Sequence, residues 1–81
     1  MPRLRRLSAR DILSILRSFG FEVVSTRGSH VKLRRIDEAG ERQILTVPAH
    51  KQLDMGTVRA IYRQAARFIP ERELRERFYA D

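Results

Sequence analysis

The chain has 81 residues, no cysteine and a formal net charge of +7 at neutral pH. A chain this short buries roughly 60% of the surface that its unfolded form exposes, so we expect a single domain over residues 1–81 with one modest core. The lack of cysteine excludes disulfides and thiolate metal ligands, and the two histidines lie in no Asp/Glu/His cluster at ligand spacing, so we expect neither a metal nor a cofactor.

The positive charge is concentrated in the first half of the chain. Residues 1–35 carry nine Lys and Arg against two acidic residues, a net +7, whereas residues 36–81 carry eight of each, a net zero. Arginine outnumbers lysine by fifteen to two, and the guanidinium group binds phosphate bidentately. This pattern predicts a nucleic acid or an acidic protein as partner, and the alternative is a solvated basic surface.

The sequence contains no signal-peptide core and no apolar run of the roughly 18 residues that a membrane helix needs. We therefore expect a cytoplasmic protein that does not contact a membrane.

The chain begins with a basic arm over residues 1–7, which we expect to be frayed. Ser8 and Asp11 are spaced as a capping box, and the apolar residues that follow recur with a helical period. This pattern predicts a first helix over residues 8–19, with Gly20 at the position of a left-handed C-terminal cap.

Three β-strands are predicted next, because β-branched and aromatic residues alternate with turn residues. A glycine-containing polar loop joins the second strand to the third, and Pro48 ends the third because proline cannot donate to a strand ladder. In chain order the predicted segments are strand 21–26, turn 27–29, strand 30–36, loop 37–41 and strand 42–47.

A second helix is predicted over residues 55–67, after a connector that ends at Asp54, a candidate N-cap. Pro70 then opens a short helical extension over residues 70–79, which Leu74 and Phe78 dock on the core. The order α-β-β-β-α predicts an α+β fold, in which helices cover one face of a three-stranded antiparallel sheet.

The middle strand carries the most informative pattern. Val31 and Leu33 share one face, while His30, Lys32 and Arg34 share the other, which should be open to solvent. A polyanion along that face would meet two cations and a side chain that titrates near neutral pH. Just before this strand, Gly28 permits positive φ and close approach of a ligand.

Three motifs in this order resemble the HicA family of toxins. They are Gly28-Ser29-His30 at the turn, Thr46-Val47-Pro48-Ala49-His50 at the end of the third strand, and the stretch from Gly56 to Ala65 on the second helix. The resemblance covers about Ser8 to Ile69 and leaves out the arginine-rich tail. It implies a small double-stranded-RNA-binding-like fold, an endoribonuclease that cleaves mRNA, and a HicB-type antitoxin that holds the toxin inactive.

The resemblance implies that His30 is the catalytic residue, since RNA cleavage needs a group that takes the 2′-OH proton at neutral pH. The alternative is a surface histidine that binds nothing. We expect Lys32 and Arg34 to contact phosphate. The alternative is that they only form a solvated face of the strand. Gly28 and Ser29 are expected to contact substrate as well, although Ser29 would also stabilise the turn without a ligand.

His50 has two interpretations. It would protonate the leaving 5′-oxygen as a second acid/base, or it would cap the second helix or bond a carbonyl; of these we favour the structural role.

These observations predict a metal-independent endoribonuclease of the toxin type. Two other functions use the same residues. One is a non-catalytic RNA-binding module with the same basic sheet face, and the other is a subunit whose basic face serves only to bind an acidic antitoxin.

Overall fold

The computed structural model describes residues 2–81, which form three helices and five strands. The short strand β1 precedes the first helix, and three longer strands separate that helix from the second. A short helix and a two-residue strand end the chain. The elements in order are β1 Arg3–Leu4, α1 Ala9–Ser18, β2 Glu22–Arg27, β3 His30–Ile36, β4 Arg42–Pro48, α2 Met55–Ala65, α3 Glu71–Phe78 and β5 Tyr79–Ala80.

The first helix begins where its capping residues predict. The Ser8 hydroxyl accepts a hydrogen bond from the Asp11 amide at 3.1 Å, and the Asp11 carboxylate accepts one from the Ser8 amide at 3.0 Å. These two bonds satisfy backbone donors that a helix start leaves without partners. At the other end Gly20 adopts φ +94°, so the predicted left-handed cap is confirmed.

The main sheet is antiparallel with β3 in the centre, in the order β2-β3-β4. A β-bulge interrupts the β2–β3 pairing between Val23 and Ser25. In the loop between β3 and β4, the Asp37 carboxylate accepts hydrogen bonds from the Ala39 and Glu41 amides, and Gly40 takes φ +83°. The predicted α-β-β-β-α order is thus confirmed, and it is compatible with a double-stranded-RNA-binding-like fold.

The core lies between the helices and one face of the sheet. Val31 and Leu33 on β3 are buried, whereas His30, Lys32 and Arg34 between them are exposed, so the predicted alternation is confirmed. The core is built from these buried apolar side chains: Leu7, Ala9, Ile12, Ile15, Leu16, Phe21, Val31, Leu33, Leu45, Val47, Val58, Ile61, Tyr62, Ala65, Ile69, Leu74 and Phe78. None of the helices in residues 2–81 is long and apolar enough to cross a membrane.

The expectation that the N-terminal arm is frayed is wrong for the residues described; Met1 lies outside them. Arg3 and Leu4 pair in antiparallel fashion with Tyr79 and Ala80, and Leu7 is only 3% exposed. The arm is held because it supplies both an edge for the end of the chain and an apolar side chain for the core. Two bonds from Arg5 add to this pairing, one from its amide to the Phe78 carbonyl and one from its guanidinium to the Arg77 carbonyl.

The third helix closes the core from the side of α2. Its residues Leu74 and Phe78 are fully buried, as predicted, and the ring of Phe78 packs edge-on against Tyr62 with the ring centroids 5.4 Å apart. The Tyr62 hydroxyl donates to the Glu71 carboxylate at 3.2 Å. Burial and then the nearby Glu71 charge raise the pKa of Tyr62 above its ordinary value.

Arg35 joins the two large helices to the sheet. Its guanidinium donates to the Phe19 carbonyl at 2.9 Å, just past α1, and to the Phe68 carbonyl at 2.8 Å, just past α2. Its Nε donates to the Gln43 side chain on β4 at 2.7 Å, and the guanidinium lies 4.8 Å from the centre of the Phe21 ring. One side chain therefore fixes the ends of both helices against the sheet.

Replacement of this arginine tests its structural role. We expect Arg35→Met to lower the free energy of unfolding by about 2–4 kcal/mol, because several charge-assisted hydrogen bonds are lost and two carbonyls lose a partner. The matched control is Arg34→Met, one residue away on the exposed face, which should stay within about 0.5 kcal/mol of the unmodified protein. Urea denaturation of both variants measures the difference, and equal midpoints would contradict the role of Arg35.

Candidate active site

His30 begins the central strand directly after a two-residue turn. Gly28 has φ +54° and Ser29 does not have positive φ, the pattern of a type II′ hairpin turn. A Cβ at position 28 would meet no atom within 4 Å, so glycine is needed there for its backbone angle. The turn fixes the register in which Arg27 pairs with His30, and so fixes the start of the exposed row on β3.

The third strand ends beside the same turn. Pro48 is the partner of His30 in the β3–β4 ladder, and the Ala49 amide donates to the Ser29 carbonyl. Since these pairings join the end of β4 to the turn, the connector over residues 49–54 must start next to His30. Residues far apart in the sequence are thereby brought to one end of the sheet.

A polar groove of about 340 Å³ lies between the turn and this connector. His30, His50 and Asp54 all line it, together with Thr57 from the first turn of α2. Both imidazoles are exposed, so solvent and a ligand can reach them. The groove therefore holds two groups able to transfer protons and one carboxylate, which is a set suited to acid–base chemistry.

Asp54, rather than His50, is the N-cap of α2. Its carboxylate accepts a hydrogen bond from the Thr57 amide at 2.7 Å. This bond holds the pKa of the Asp54 carboxyl below its usual value, because a bond from the backbone favours the charged form. The candidate capping residue identified from the sequence is thus correct.

A second groove runs from His30 in the other direction, between β4 and α2. Its walls include Thr46, Ala60 and Gln64. The Gln64 amide accepts from the Thr46 backbone amide at 3.1 Å and donates to the Thr46 carbonyl at 3.5 Å, so it takes the place of a neighbouring strand. This pairing gives partners to the backbone of one residue, Thr46, on the outer edge of β4, and Thr46 stays exposed to solvent.

The structure brings together most of the residues that the sequence suggested. Gly28, Ser29 and His30 form the turn, and Lys32 and Arg34 continue along the exposed face of β3. Across the ladders, Lys32 faces Ser25 and Thr46, while Arg34 faces Glu22 and Ile44. The row is therefore basic along β3, with one acidic neighbour at its far end.

Sequence reasoning did not place Asp54 and Thr57 beside His30. Asp54 was identified only as a helix cap, and Thr57 only as a member of the stretch from Gly56 to Ala65 that resembles the HicA family. The antiparallel pairing of Pro48 with His30 is the signal that could have found them, because it fixes where the connector and the start of α2 must lie.

Within residues 2–81, no group of three or more His, Cys, Asp or Glu side chains is arranged to hold a metal ion. The groove beside His30 contributes a single carboxylate, that of Asp54.

Comparison with known proteins identifies one family. The family model described as "HicA toxin of bacterial toxin-antitoxin" matches residues 9–66, which is more than half of the chain. No curated protein and no solved structure matches. The matched residues run from the start of α1 to the end of α2 and include the whole groove beside His30.

The lowered pKa of Asp54 predicts a pH-dependent contribution to stability. Since the folded-state value lies below the unfolded value of about 3.9, the contribution is present above that pH and is lost as the pH falls through the folded value. At neutral pH, Asp54→Ala should therefore have a lower melting temperature than the unmodified protein. The difference between the two melting temperatures should narrow below pH 4. Asp54→Asn is the control, because its amide oxygen still caps the helix without titrating. A difference in melting temperature that stays constant down to the lowest pH would contradict the role of Asp54 as the charged cap of α2.

Proposed function

Because the chain belongs to the HicA toxin family, we propose that it is the toxin of a type II toxin–antitoxin module and cleaves mRNA as a metal-independent endoribonuclease. The observation that supports this most is the position of His30. It stands at the end of a basic strand face and lines a groove with a second imidazole. We place its activity in the cytoplasm, where mRNA is translated.

In the proposed reaction His30 is the general base. It takes the proton of the ribose 2′-OH, and the 2′-oxygen attacks the adjacent phosphorus as the bond from phosphorus to the 5′-oxygen breaks. The leaving 5′-oxygen then needs a proton. His50 is the candidate donor, since it lines the same groove and the cap of α2 is supplied by Asp54.

Lys32 and Arg34 are proposed to bind the backbone of the substrate. Both side chains are exposed on the face that begins with His30, at intervals of two residues along the strand. Cations on a strand position phosphates without reading bases, so they would orient the RNA for cleavage. Gly28 and Ser29 would let the backbone of the substrate approach the turn closely.

A HicB-like antitoxin is the proposed protein partner. The exposed row of His30, Lys32 and Arg34 would bind an acidic surface as readily as RNA, because both ligands are polyanionic. An antitoxin on this face would block the substrate directly, which explains inhibition without any change in the fold of the toxin.

The role of His30 is tested by expression of the chain without an antitoxin. The protein should arrest growth and shorten bulk mRNA, whereas His30→Ala should be tolerated and should cleave RNA about 10²–10⁴-fold more slowly, the usual contribution of a general base. Glu38→Ala, in the exposed loop between β3 and β4, is the control and should stay toxic. Full toxicity of His30→Ala would assign cleavage to another residue. Normal growth with intact transcripts, at confirmed soluble expression, would remove the toxin function and favour a non-catalytic RNA-binding module.

Metal independence has its own test. The reaction above uses only side chains for proton transfer and phosphate binding, so cleavage by purified protein should persist at an undiminished rate in excess EDTA. Loss of activity that Mg²⁺ restores would show that a metal ion activates the phosphate, and the proposed chemistry would then be incorrect.

A further inference from the structure

A third groove lies on the other side of His50, between the start of α1 and the connector. It has a volume of about 580 Å³, and its lining is mostly apolar. Arg10 and Lys51 line it as well, and both are exposed. The groove therefore combines an apolar lining with two cations. Its lining residues are Ser8, Ala9, Arg10, Leu13, Ala49, His50 and Lys51.

This groove is continuous with the candidate active site. His50 lines both, so a ligand that leaves the groove beside His30 in this direction passes directly onto Ala49 and Lys51. The connector over residues 49–54 forms one side of both grooves. A chain molecule bound at His30 can thus extend to α1 without leaving the protein surface.

The opposite direction from His30 offers no fixed cation. None of the residues that line the groove between β4 and α2 is a lysine or an arginine. Asp54 lines that groove and the groove beside His30 alike, so its carboxylate does not distinguish the two directions. The cations of the groove at α1, Arg10 and Lys51, therefore favour the direction toward the connector for a phosphate chain.

A neighbouring groove extends the positive charge further. Arg6 and Lys51 line it together with Asp11. The Asp11 carboxylate is held by the Ser8 amide in the capping box, and this bond lowers the pKa of Asp11, so it carries one negative charge. Three cations, including Arg10, against this one carboxylate leave the region positive.

We propose that this groove is an extended substrate site, in which the single-stranded RNA beside the cleaved phosphate lies between α1 and the connector. The strand would run from Lys32 and Arg34 past His30 and His50. One base would rest on the apolar lining while the flanking phosphates bind Arg10 and Lys51. This inference rests on the proposed function, because it assumes that RNA is bound at His30.

The chemistry of the groove favours RNA over an acidic polypeptide. A nucleotide presents an apolar base face and a phosphate in each repeat, and proteins bind single strands by matching both. An acidic peptide would use the cations but would leave the apolar lining, which includes Leu13 and Ala49, in contact with water.

The test compares three double variants in a His30→Ala background, in which cleavage of the probe should be about 10²–10⁴-fold slower. They are Arg10→Gln/Lys51→Gln in the groove, Lys32→Gln/Arg34→Gln on the strand face, and Arg72→Gln/Arg75→Gln on α3 as the control that removes the same charge. Fluorescence anisotropy gives the affinity for a single-stranded RNA of about 12 nucleotides across a salt series. Each lost phosphate contact should lower the slope of log K against log salt by about 0.7.

We expect the slope to fall by about 1.4 in both the groove and the strand-face variants and to stay unchanged in the control. An unchanged slope in the groove variant, with a lowered slope in the strand-face variant, would contradict RNA binding in the groove at α1. It would leave the proposed ribonuclease function unaffected.

Two further measurements distinguish the groove from the catalytic function and from a site for an acidic protein. The chain with His30 intact could cut no RNA while the groove variant still shows the lowered slope. That result would contradict the ribonuclease function and would still support RNA binding in the groove. Poly-glutamate is the second probe: reduced binding of it by the groove variant, with RNA binding unchanged, would overturn the proposal and assign the groove to an acidic protein.

Discussion

The guanidinium of Arg35 is the interaction on which the architecture depends most. The chain leaves each helix through a short segment whose carbonyls need partners, and Arg35 binds the Phe19 carbonyl just after α1 and the Phe68 carbonyl three residues after α2. A lysine could not replace it, because the rigid fork of arginine serves several acceptors at fixed angles. Arg35 lies on the same side of β3 as Val31 and Leu33, so one strand both buries the core and holds the helices. The opposite side, with His30, Lys32 and Arg34, is left free for a ligand.

One side of the candidate site is fixed by the central strand, and the other side is formed by a connector. His30 is paired on both sides, with Arg27 and with Pro48, so its backbone cannot shift without breaking two ladders. His50, in contrast, belongs to an exposed connector with no helix or strand of its own. A scaffold that fixes one group and presents the other from a loop is a common basis of binding and catalysis. Under the proposed function, the connector would adapt to the RNA while the strand would define where the phosphate is held.

Sequence patterns predicted what depends on near neighbours in the chain. Ser8 and Asp11, three residues apart, predicted the start of the first helix. The alternation of apolar and polar residues on β3 predicted which of its side chains are buried. The pairing of Arg3–Leu4 with Tyr79–Ala80 joins the two ends of the chain, and no local pattern specifies such a contact. The role of Arg35 could not be predicted either. Alternation places its side chain toward the core, but tertiary packing determines that it binds the Phe19 and Phe68 carbonyls. The groove at α1 also depends on how a helix sits on the sheet, which sequence period does not encode.

The ends of the chain matter to the proposed site although the family match omits them. Leu7, Ile69, Leu74 and Phe78 are all buried, yet all lie outside residues 9–66, so the core is completed by the arm and the tail. The arm leads directly into the capping box, since Leu7 precedes Ser8, and its docking therefore determines where α1 begins. Arg6 and Arg10 stand on either side of that start. The same contacts that close the core thus place Arg6 and Arg10 beside the groove between α1 and the connector, where the proposed RNA path would meet them.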